Sequence, residues 1–204
     1  MNEEISGLPE FITLSRQKFR RFFQPSRVVM AVLPQEYGIA PNIITLCFHM
    51  YCSYKPAMMA FAIQRGSLSF ELLSSAKTCV LAVPGEDLVE EAMFCGTTTG
   101  RSVNKVQECN LALADSTYAE TPGLAKAIAN IEVKISACVP TGDHVMAIAE
   151  VLKFGVNASS RQKPLLSIGP DTAGYKLLLR KGIHRLAVVD ESTVESWRPD
   201  NCNA

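Results

Sequence analysis

The stretch at residues 94–105, FCGTTTGRSVNK, gathers glycines, hydroxyl groups and two fixed positive charges in one short segment. A phosphate monoester carries about two negative charges and three strong acceptor oxygens, so its binding site needs hydroxyls, exposed backbone N–H groups and cations. Thr98 and Thr99 supply hydroxyls, Arg101 and Lys105 supply charge, and the glycines allow the backbone to approach a ligand closely. The stretch is not the nucleotide P-loop, because Arg101 follows the second glycine where that motif has lysine. It predicts a phosphate-binding loop, and the alternative interpretation is a polar loop that follows a helix.

A second candidate anion site lies at residues 64–69, QRGSLS, between a strand-like run and the start of a helix. Free backbone N–H groups at a helix N-terminus attract anions. Arg65, Ser67 and Ser69 add one charge and two hydroxyls to them. Serine is also a preferred N-cap residue, so an ordinary helix cap is the alternative interpretation.

Three other residues suggest a metal site, but their spacing does not favour one. On a strand, Cys47 and His49 would share one face, whereas Cys52 would point the other way. A zinc site usually brings two close pairs of ligands, and the sequence has no second pair. We therefore predict no metal site and interpret these residues as packed cysteines beside one polar strand residue.

The sequence contains no motif for nucleophilic catalysis or for tight dinucleotide binding. It lacks a G-x-S-x-G nucleophile elbow, and nothing assigns a partner to His144 or His184 as a general base. It also lacks a G-x-G-x-x-G fingerprint, so any NAD(P)H would bind only transiently. No catalytic residue is predicted.

The elements that must position these groups are mostly β-strands. Two runs, 131–137 and 144–154, flank the turn sequence PTGD and predict a hairpin. Short helices are predicted from Ser67, over residues 86–95 and near residues 123–130. A regular alternation of strands and helices is missing, which favours an antiparallel β-barrel with short helices over a doubly wound sheet. The predicted strands are residues 27–33, 42–50, 57–63, 78–83, 131–137, 144–154 and 183–189.

Composition limits the class of protein. The 204 residues include 48% apolar residues, enough for one domain with a substantial core. Twenty basic residues balance twenty acidic ones, so nucleic acid is not a predicted partner. The start of the chain lacks an apolar signal segment, and no apolar run has the length of a membrane span. The odd number of cysteines, seven, argues against a disulfide framework and predicts a reducing compartment, the cytoplasm.

Taken together, several segments resemble the flavin reductase-like family, which includes the flavoredoxins. Residues 94–105 resemble the family's F-C-G-x-x-S/T-G-R-D-V-D-K-F pattern, with polar residues in place of its two acids. Residues 42–45 resemble the family's N-x-x-T strand, and residues 65–69 lie where the family has its R-x-S helix start. The resemblance extends over residues 25–155.

This resemblance implies an FMN-binding split barrel that forms a homodimer, with FMN near the subunit boundary. The two candidate anion sites would hold the phosphate and ribityl groups. The strand over residues 45–50, with Thr45, His49 and Met50 as binding residues, would line the isoalloxazine ring. The predicted divisions of the chain are an N-terminal helical extension at 1–24, a flavin-binding domain at 25–190 and a tail at 191–204.

The predicted function is an FMN-dependent oxidoreductase with an unknown electron acceptor. It would be either a flavin reductase that uses NAD(P)H or an electron carrier of the flavoredoxin kind. Two alternatives stay open. One is a non-enzymatic flavin-binding or storage protein, and the other is a thiol- or metal-dependent regulatory protein built on Cys47, His49, Cys52 and Cys95.

Overall fold

The computed structural model describes residues 13, 19, 23–35, 39–170, 172–190 and 192. Within these residues the chain forms thirteen strands and three α-helices. Most of the predicted N-terminal helical extension, and almost all of the predicted tail with Trp197, lie outside the described residues. In the described part, no helix combines the length and the apolar character needed to cross a membrane.

The elements follow one another in a strand-rich order. The strands are β1 (Ser26–Arg27), β2 (Val29–Leu33), β3 (Asn42–Leu46), β4 (His49–Tyr54), β5 (Ala57–Gln64), β6 (Thr78–Val83), β7 (Leu113–Ala114), β8 (Gly123–Leu124), β9 (Ala129–Thr141), β10 (His144–Val156), β11 (Leu166–Ser167), β12 (Tyr175–Lys181) and β13 (His184–Val189). The helices are α1 (Leu68–Ser75), α2 (Val89–Thr97) and α3 (Lys105–Glu108), and a 3-10 turn at Glu86–Leu88 leads into α2.

Seven strands form one antiparallel sheet, in the order β3-β2-β6-β9-β10-β5-β4, which curls around its own core. Alternate side chains of these strands point inward, as the side-chain alternation of a barrel strand requires. The predicted antiparallel β-barrel with short helices is confirmed. The buried core residues inside it are Val29, Ala31, Leu33, Leu46, Phe61, Ile63, Leu73, Cys79, Leu81, Val133, Ala147 and Ala149.

The single strand predicted at residues 42–50 is wrong, because two strands, β3 and β4, occupy this segment. β3 pairs with β2 at one end of the sheet, and β4 pairs with β5 at the other. Cys47 and Phe48 connect them. Apolar side chains continue through the break, so the sequence pattern does not reveal it. Cys47 and His49 consequently do not share one strand face.

The predicted hairpin between β9 and β10 is confirmed. Its turn consists of two residues, Gly142 and Asp143, because Thr141 pairs with His144. Gly142 has a φ of +62°, a left-handed conformation that glycine adopts without steric cost. Both strands are longer than predicted, and Pro140 belongs to β9.

A smaller sheet, in the order β1-β11-β13-β12, packs with α2 against the outside of the barrel. Ala92 and Met93 of α2 lie in one buried cluster with Met30 of β2 and Val188 of β13. The hairpin of β12 and β13 therefore covers α2. The predicted strand at 183–189 corresponds to β13, whereas β12 was not predicted.

Among the helices, the start of α1 after Ser67 is confirmed, and two other predictions are corrected. α2 does not end at Cys95 but continues through Gly96 to Thr97. The helix predicted near residues 123–130 is wrong, because Gly123 begins β8 and pairs with Ala114. α3 was not predicted.

Candidate functional site

Asn42, the first residue of β3, links three segments of the predicted site. Its Nδ2 donates a hydrogen bond to Ser69 Oγ of α1 at 2.8 Å. Its Oδ1 is buried and has no hydrogen-bond partner among the described residues. This oxygen lies against Gly100, where a Cβ atom would come within 2.1 Å of it. The contact requires glycine at position 100 and brings strand, helix and loop together.

The N-terminus of α1 is capped by Ser67. Ser67 Oγ accepts a hydrogen bond from the backbone N–H of Phe70 at 3.1 Å and donates one to the Gln64 carbonyl at 2.8 Å. Ser69 is buried and engaged with Asn42, whereas Arg65 is exposed. The prediction of an N-cap is confirmed. Ser69 fits the site as a support for Asn42, because burial keeps its hydroxyl from the surface.

Arg101 is held beside α1 by Glu71. Arg101 Nη2 forms an ion pair with Glu71 Oε1, and about half of each side chain is exposed, 49% and 52%. The backbone N–H of Arg101 donates to Thr99 Oγ1 at 3.3 Å, and Thr98 is half-buried. The two segments predicted to bind an anion therefore form one continuous surface.

Lys105 is placed differently from its prediction as a second phosphate ligand. The side chain is only 3% exposed, and its Nζ donates to the carbonyls of Ile43 at 2.7 Å and Cys95 at 2.8 Å. Burial lowers the pKa of this ammonium group. Its donors join β3 to the end of α2 in the interior, so its role is to position the loop.

Thr45 also supports the loop. Its Oγ1 donates to the Ala92 carbonyl of α2 at 2.6 Å. Its Cβ would lie 3.1 Å from a Cβ at position 96, so Gly96 permits the close approach of α2 to β3. Thr45 is half-buried, and its hydroxyl proton is already used. A ligand could only donate to this oxygen.

A cleft of about 220 Å³ opens on the outer side of the barrel, where β4, β5 and β10 meet. Two predicted binding residues, His49 and Met50, line it. The other lining residues are apolar and consist of Phe48, Ala60, Phe61, Ala62 and Met146. His49 is the sole polar side chain in this lining, so the cleft suits a largely apolar group.

The tautomer of His49 is fixed by its hydrogen bond. His49 Nε2 lies 2.7 Å from the carbonyl oxygen of Arg27, which can only accept, so Nε2 carries the proton. Burial and the nearby charge of Arg27 lower the pKa of His49, although the bond to the carbonyl opposes this. At neutral pH the ring is uncharged, and Nδ1 is an acceptor.

The thiol groups of the regulatory alternative do not come together at one site. Cys95 is buried, and burial raises its pKa to about 12, so it stays a thiol. Its hydrogen-bonding neighbour is Cys109, not Cys47 or Cys52. In the described residues, no three His, Cys, Asp or Glu side chains are grouped so that they could hold a metal ion.

Three residues that sequence reasoning missed belong to this site. Asn42 carried a signal, since it opens the N-x-x-T segment of the resemblance. Glu71 and Lys181 had no recognisable signal in the sequence, because each contacts a residue far away along the chain. Lys181, at the end of β12, donates through Nζ to Thr97 Oγ1 at 2.8 Å and connects the C-terminal hairpin to the loop.

A family model described as the flavin reductase like domain matches residues 19–173. The chain belongs to the flavin reductase-like family. An uncharacterised protein of Archaeoglobus fulgidus is 29% identical over 112 residues, which are 55% of this chain and 63% of that protein. The match thus spans less than two thirds of the length of this relative. An uncharacterised protein of Pyrococcus abyssi is 25% identical over 66% of this chain and 76% of its own length.

Solved structures of flavin proteins share the fold. The flavoredoxin of Methanosarcina acetivorans gives a TM-score of 0.74 at 13% identity and covers 95% of this chain and 98% of its own. An FMN-binding protein of Thermus thermophilus, with bound p-hydroxybenzaldehyde, gives 0.71 at 17% identity over 94% of this chain and 100% of its own. An NADH:FAD oxidoreductase of Streptomyces globisporus gives 0.65 at 16% identity over 78% and 93%. The fold is an FMN-binding split barrel, and the family supports a flavin-related oxidoreductase.

Proposed function

We propose that the protein binds FMN and acts as an oxidoreductase, either as an NAD(P)H-dependent flavin reductase or as a flavoredoxin-like electron carrier. One observation carries the proposal: Asn42, the N-terminus of α1 and the loop at residues 97–101 meet in one surface. This surface combines an exposed guanidinium, hydroxyls and a glycine that no larger residue can replace. These are the groups that a phosphate monoester requires.

The residues present fit the phosphate of FMN. Asn42 Oδ1 is a buried acceptor without a partner in the described part, and the backbone at Gly100 lies close against it. Because a phosphate dianion has no proton to donate, this oxygen would accept a hydrogen bond from a ribityl hydroxyl of FMN. Arg101 would bind the phosphate through nitrogens that Glu71 does not occupy, and Thr98 and Thr99 would donate their hydroxyls. Arg65 would complete the site beside the start of α1, whereas the Ser67 hydroxyl, already bonded to the Gln64 carbonyl, would support the helix end. Lys105 and Ser69 would support it from the interior.

The ring of the flavin would lie along the β3–β4 connection and in the cleft at His49 and Met50. When bound, flavin supplies hydride acceptance and transfer of one or two electrons. The chain's own task is to hold the ring, to exclude water with the apolar lining and to present the neutral His49 acceptor. Thr45 anchors the adjoining strand to α2. A catalytic acid or base is not required for this task.

A homodimer is part of the proposal. Four side chains on and beside β4 are exposed although apolar or aromatic: Phe48 at 47%, Met50 at 57%, Tyr51 at 70% and Tyr54 at 82%. An apolar patch of this kind favours contact with another surface. A second copy of the chain would cover it and enclose the cleft. The cytoplasmic location predicted from the cysteines also stays a proposal.

FMN is proposed over FAD because the surface accounts for one phosphate group. Among the structural neighbours, the Thermus protein is described as FMN-binding and the Streptomyces protein as an NADH:FAD oxidoreductase. The reductant named for the second protein suggests that a nicotinamide dinucleotide could also reduce the flavin here.

Absorbance of the purified protein with added FMN, recorded without oxygen, tests the proposal. Stoichiometric flavin binding followed by bleaching with NADH or NADPH is the expected result for a reductase. Bleaching with dithionite but not with NAD(P)H would identify an electron carrier. Failure to bind FMN, FAD or riboflavin at micromolar concentration would contradict the proposal. Sedimentation of the FMN complex as a monomer would contradict the dimer alone.

A further inference from the structure

Two thiol groups lie side by side in the core, one on each side of the predicted phosphate loop in the sequence. Cys95, in the last turn of α2, is only 1% exposed. Cys109, directly after α3, is half-buried and packs against the same apolar cluster. The two side chains form a hydrogen bond with each other. The proposed function uses neither thiol.

Hydrogen bonds of Lys105 hold the backbones of this pair in place. Lys105 Nζ donates to the Cys95 carbonyl at 2.8 Å, and the backbone N–H of Cys109 donates to the Lys105 carbonyl at 3.1 Å. Lys105 and Cys109 are four residues apart around the single turn of α3, so their side chains point to one side of it. The fold itself therefore brings the two sulfurs together.

The surroundings make the two sulfurs chemically unequal. Burial, together with the hydrogen bond to Cys109, raises the pKa of Cys95 to about 12. Burial also raises the pKa of Cys109, as do Glu91 and Glu108, but the hydrogen bond from Cys95 and the charge of Lys105 oppose this. Because the thiolate is the nucleophile, the half-buried Cys109 is the sulfur of the pair that reacts with an oxidant. The two carboxylates repel an anionic oxidant, whereas hydrogen peroxide is small and uncharged.

We propose that Cys95 and Cys109 form a redox-modification site, which hydrogen peroxide converts into a disulfide. In the first step the Cys109 thiolate attacks one peroxide oxygen, the O–O bond breaks, and Cys109 becomes a sulfenic acid. The hydroxide that leaves takes up the proton that Cys109 released. In the second step the Cys95 sulfur attacks the Cys109 sulfur, the S–S bond forms, and the S–O bond breaks. The second hydroxide leaves with the Cys95 proton as water, so the thiols are oxidised and peroxide is reduced to water.

The disulfide would close a loop around the predicted phosphate segment. Residues 96–108, which include Thr98, Thr99 and Arg101, lie between the two cysteines. A cross-link over about 15 residues restricts the unfolded chain and thereby stabilises the folded one. In a reducing compartment, a disulfide of this kind is transient and responds to oxidants. The inference does not depend on the proposed function, because the reaction requires no flavin.

The first test is peroxide treatment of the wild-type protein at about pH 8.5, where more of each thiol is ionised. The remaining thiols are then alkylated, and the protein is digested without a reductant. Trypsin cuts between Cys95 and Cys109, and a glutamate-specific protease cuts between Cys79 and Cys95. Mass spectrometry should find two peptides joined through Cys95 and Cys109, which dithiothreitol separates. Recovery of both cysteines in alkylated form, while the exposed Cys52 is oxidised, would overturn the inference.

The second test is the melting temperature before and after peroxide treatment. The oxidised wild type should melt at least about 5 °C above the reduced protein, and dithiothreitol should reverse the gain. Cys109→Ser and Cys109→Ala should both show no gain. Cys52→Ser, which removes an exposed thiol of β4, is the matched control and should keep the full gain. A cross-linked wild type with an unchanged or lower melting temperature would overturn the inference, because the disulfide would then join displaced sulfurs. A gain in either Cys109 variant would overturn it too.

Discussion

Backbone N–H groups lie in the turn at residues 117–119 and at the N-terminus of α1. A carboxylate of the protein binds the first group, whereas at α1 the neutral hydroxyl of Ser67 accepts the N–H of Phe70. Glu132 of β9 accepts hydrogen bonds from the N–H groups of Thr117, Tyr118 and Ala119 and is only 5% exposed. At α1, the charged neighbour is Arg101, which is about half exposed. One anion is a permanent part of the fold, and the other is a ligand under our proposal.

The turn at residues 117–119 should affect folding stability, whereas the surface beside α1 should affect ligand affinity. A buried carboxylate that satisfies backbone donors contributes to the free energy of unfolding, because its removal leaves those donors without partners. An exposed cation contributes little to folding and acts when a ligand arrives. Variants in the two regions should therefore separate folding stability from flavin affinity.

The largest effect is expected at Glu132. Glu132→Ala removes a buried carboxylate and leaves three backbone donors, so the free energy of unfolding should fall by about 3 kcal/mol. Urea denaturation measures this change. FMN affinity of the folded fraction should be unaltered, and Glu120→Ala, at an exposed neighbour, is the control. Equal stability of the two variants would contradict the assignment of Glu132 as a structural anion.

The same carboxylate should make stability depend on pH. Burial raises the pKa of Glu132, but the hydrogen bonds from the turn and the charge of Lys153 lower it overall. A carboxyl whose pKa is lower in the folded state stabilises the protein above its unfolded pKa, and this contribution is lost as the pH falls through the folded pKa. Denaturation from pH 7 down to about pH 3 should show a steeper loss for the wild type than for Glu132→Gln. Parallel curves would contradict this expectation.

Lys105 should show that a positively charged residue of the loop can stabilise the fold. Lys105→Met keeps the volume but leaves the carbonyls of Ile43 and Cys95 without a donor, at a cost of about 2 kcal/mol in the free energy of unfolding. The loss should persist in 1 M NaCl, because the group is buried. A free energy of unfolding within about 0.5 kcal/mol of the wild type is typical of surface substitutions. That result would contradict the structural role of Lys105.

Gly100→Ala should produce a smaller loss. The added Cβ would meet Asn42 Oδ1 at 2.1 Å, so the loop must shift, at a cost of about 1–2 kcal/mol. FMN affinity should fall with it. Gly155→Ala is the matched control, because its nearest atom would be the Asn130 carbonyl at 3.9 Å, an ordinary contact. Thermal denaturation and fluorescence titration of both variants measure the two effects. Similar results for the two glycines would contradict the close packing of the loop.

Much of the barrel was predictable from local patterns. The run at Thr78–Val83 is apolar after Thr78 and forms β6 with the predicted bounds. The segment at 123–130 was mispredicted because its alanines favour helix, whereas Asn130 bonds both the N–H and the carbonyl of Leu124 and fixes a turn. A side chain that pairs with a backbone six residues away overrides local propensity.

Some features of the candidate site were also predictable from local sequence, and others were not. Residues 65–69 and 94–105 were recognisable because anion binding depends on local groups such as a helix N-terminus, hydroxyls and glycines. The interior role of Lys105 was not predictable, because one of its acceptors, the Ile43 carbonyl, comes from 62 residues away. The ion pair between Arg101 and Glu71 spans 30 residues and was equally hidden. The resemblance to the family predicted that residues 65–69 and 94–105 form one site. Only the structure showed that Arg101 is exposed and Lys105 is buried.

The most direct test of the account is the affinity of Arg101→Ala for FMN and for riboflavin, measured by flavin fluorescence. The guanidinium should contact the phosphate, so the variant should bind FMN at least about tenfold more weakly, which corresponds to about 1.4 kcal/mol. Riboflavin lacks the phosphate, so its affinity should stay the same, and the free energy of unfolding should change by less than about 0.5 kcal/mol because Arg101 is exposed. A weakening of FMN and riboflavin by the same factor would contradict the account, since Arg101 would then shape the loop without binding phosphate.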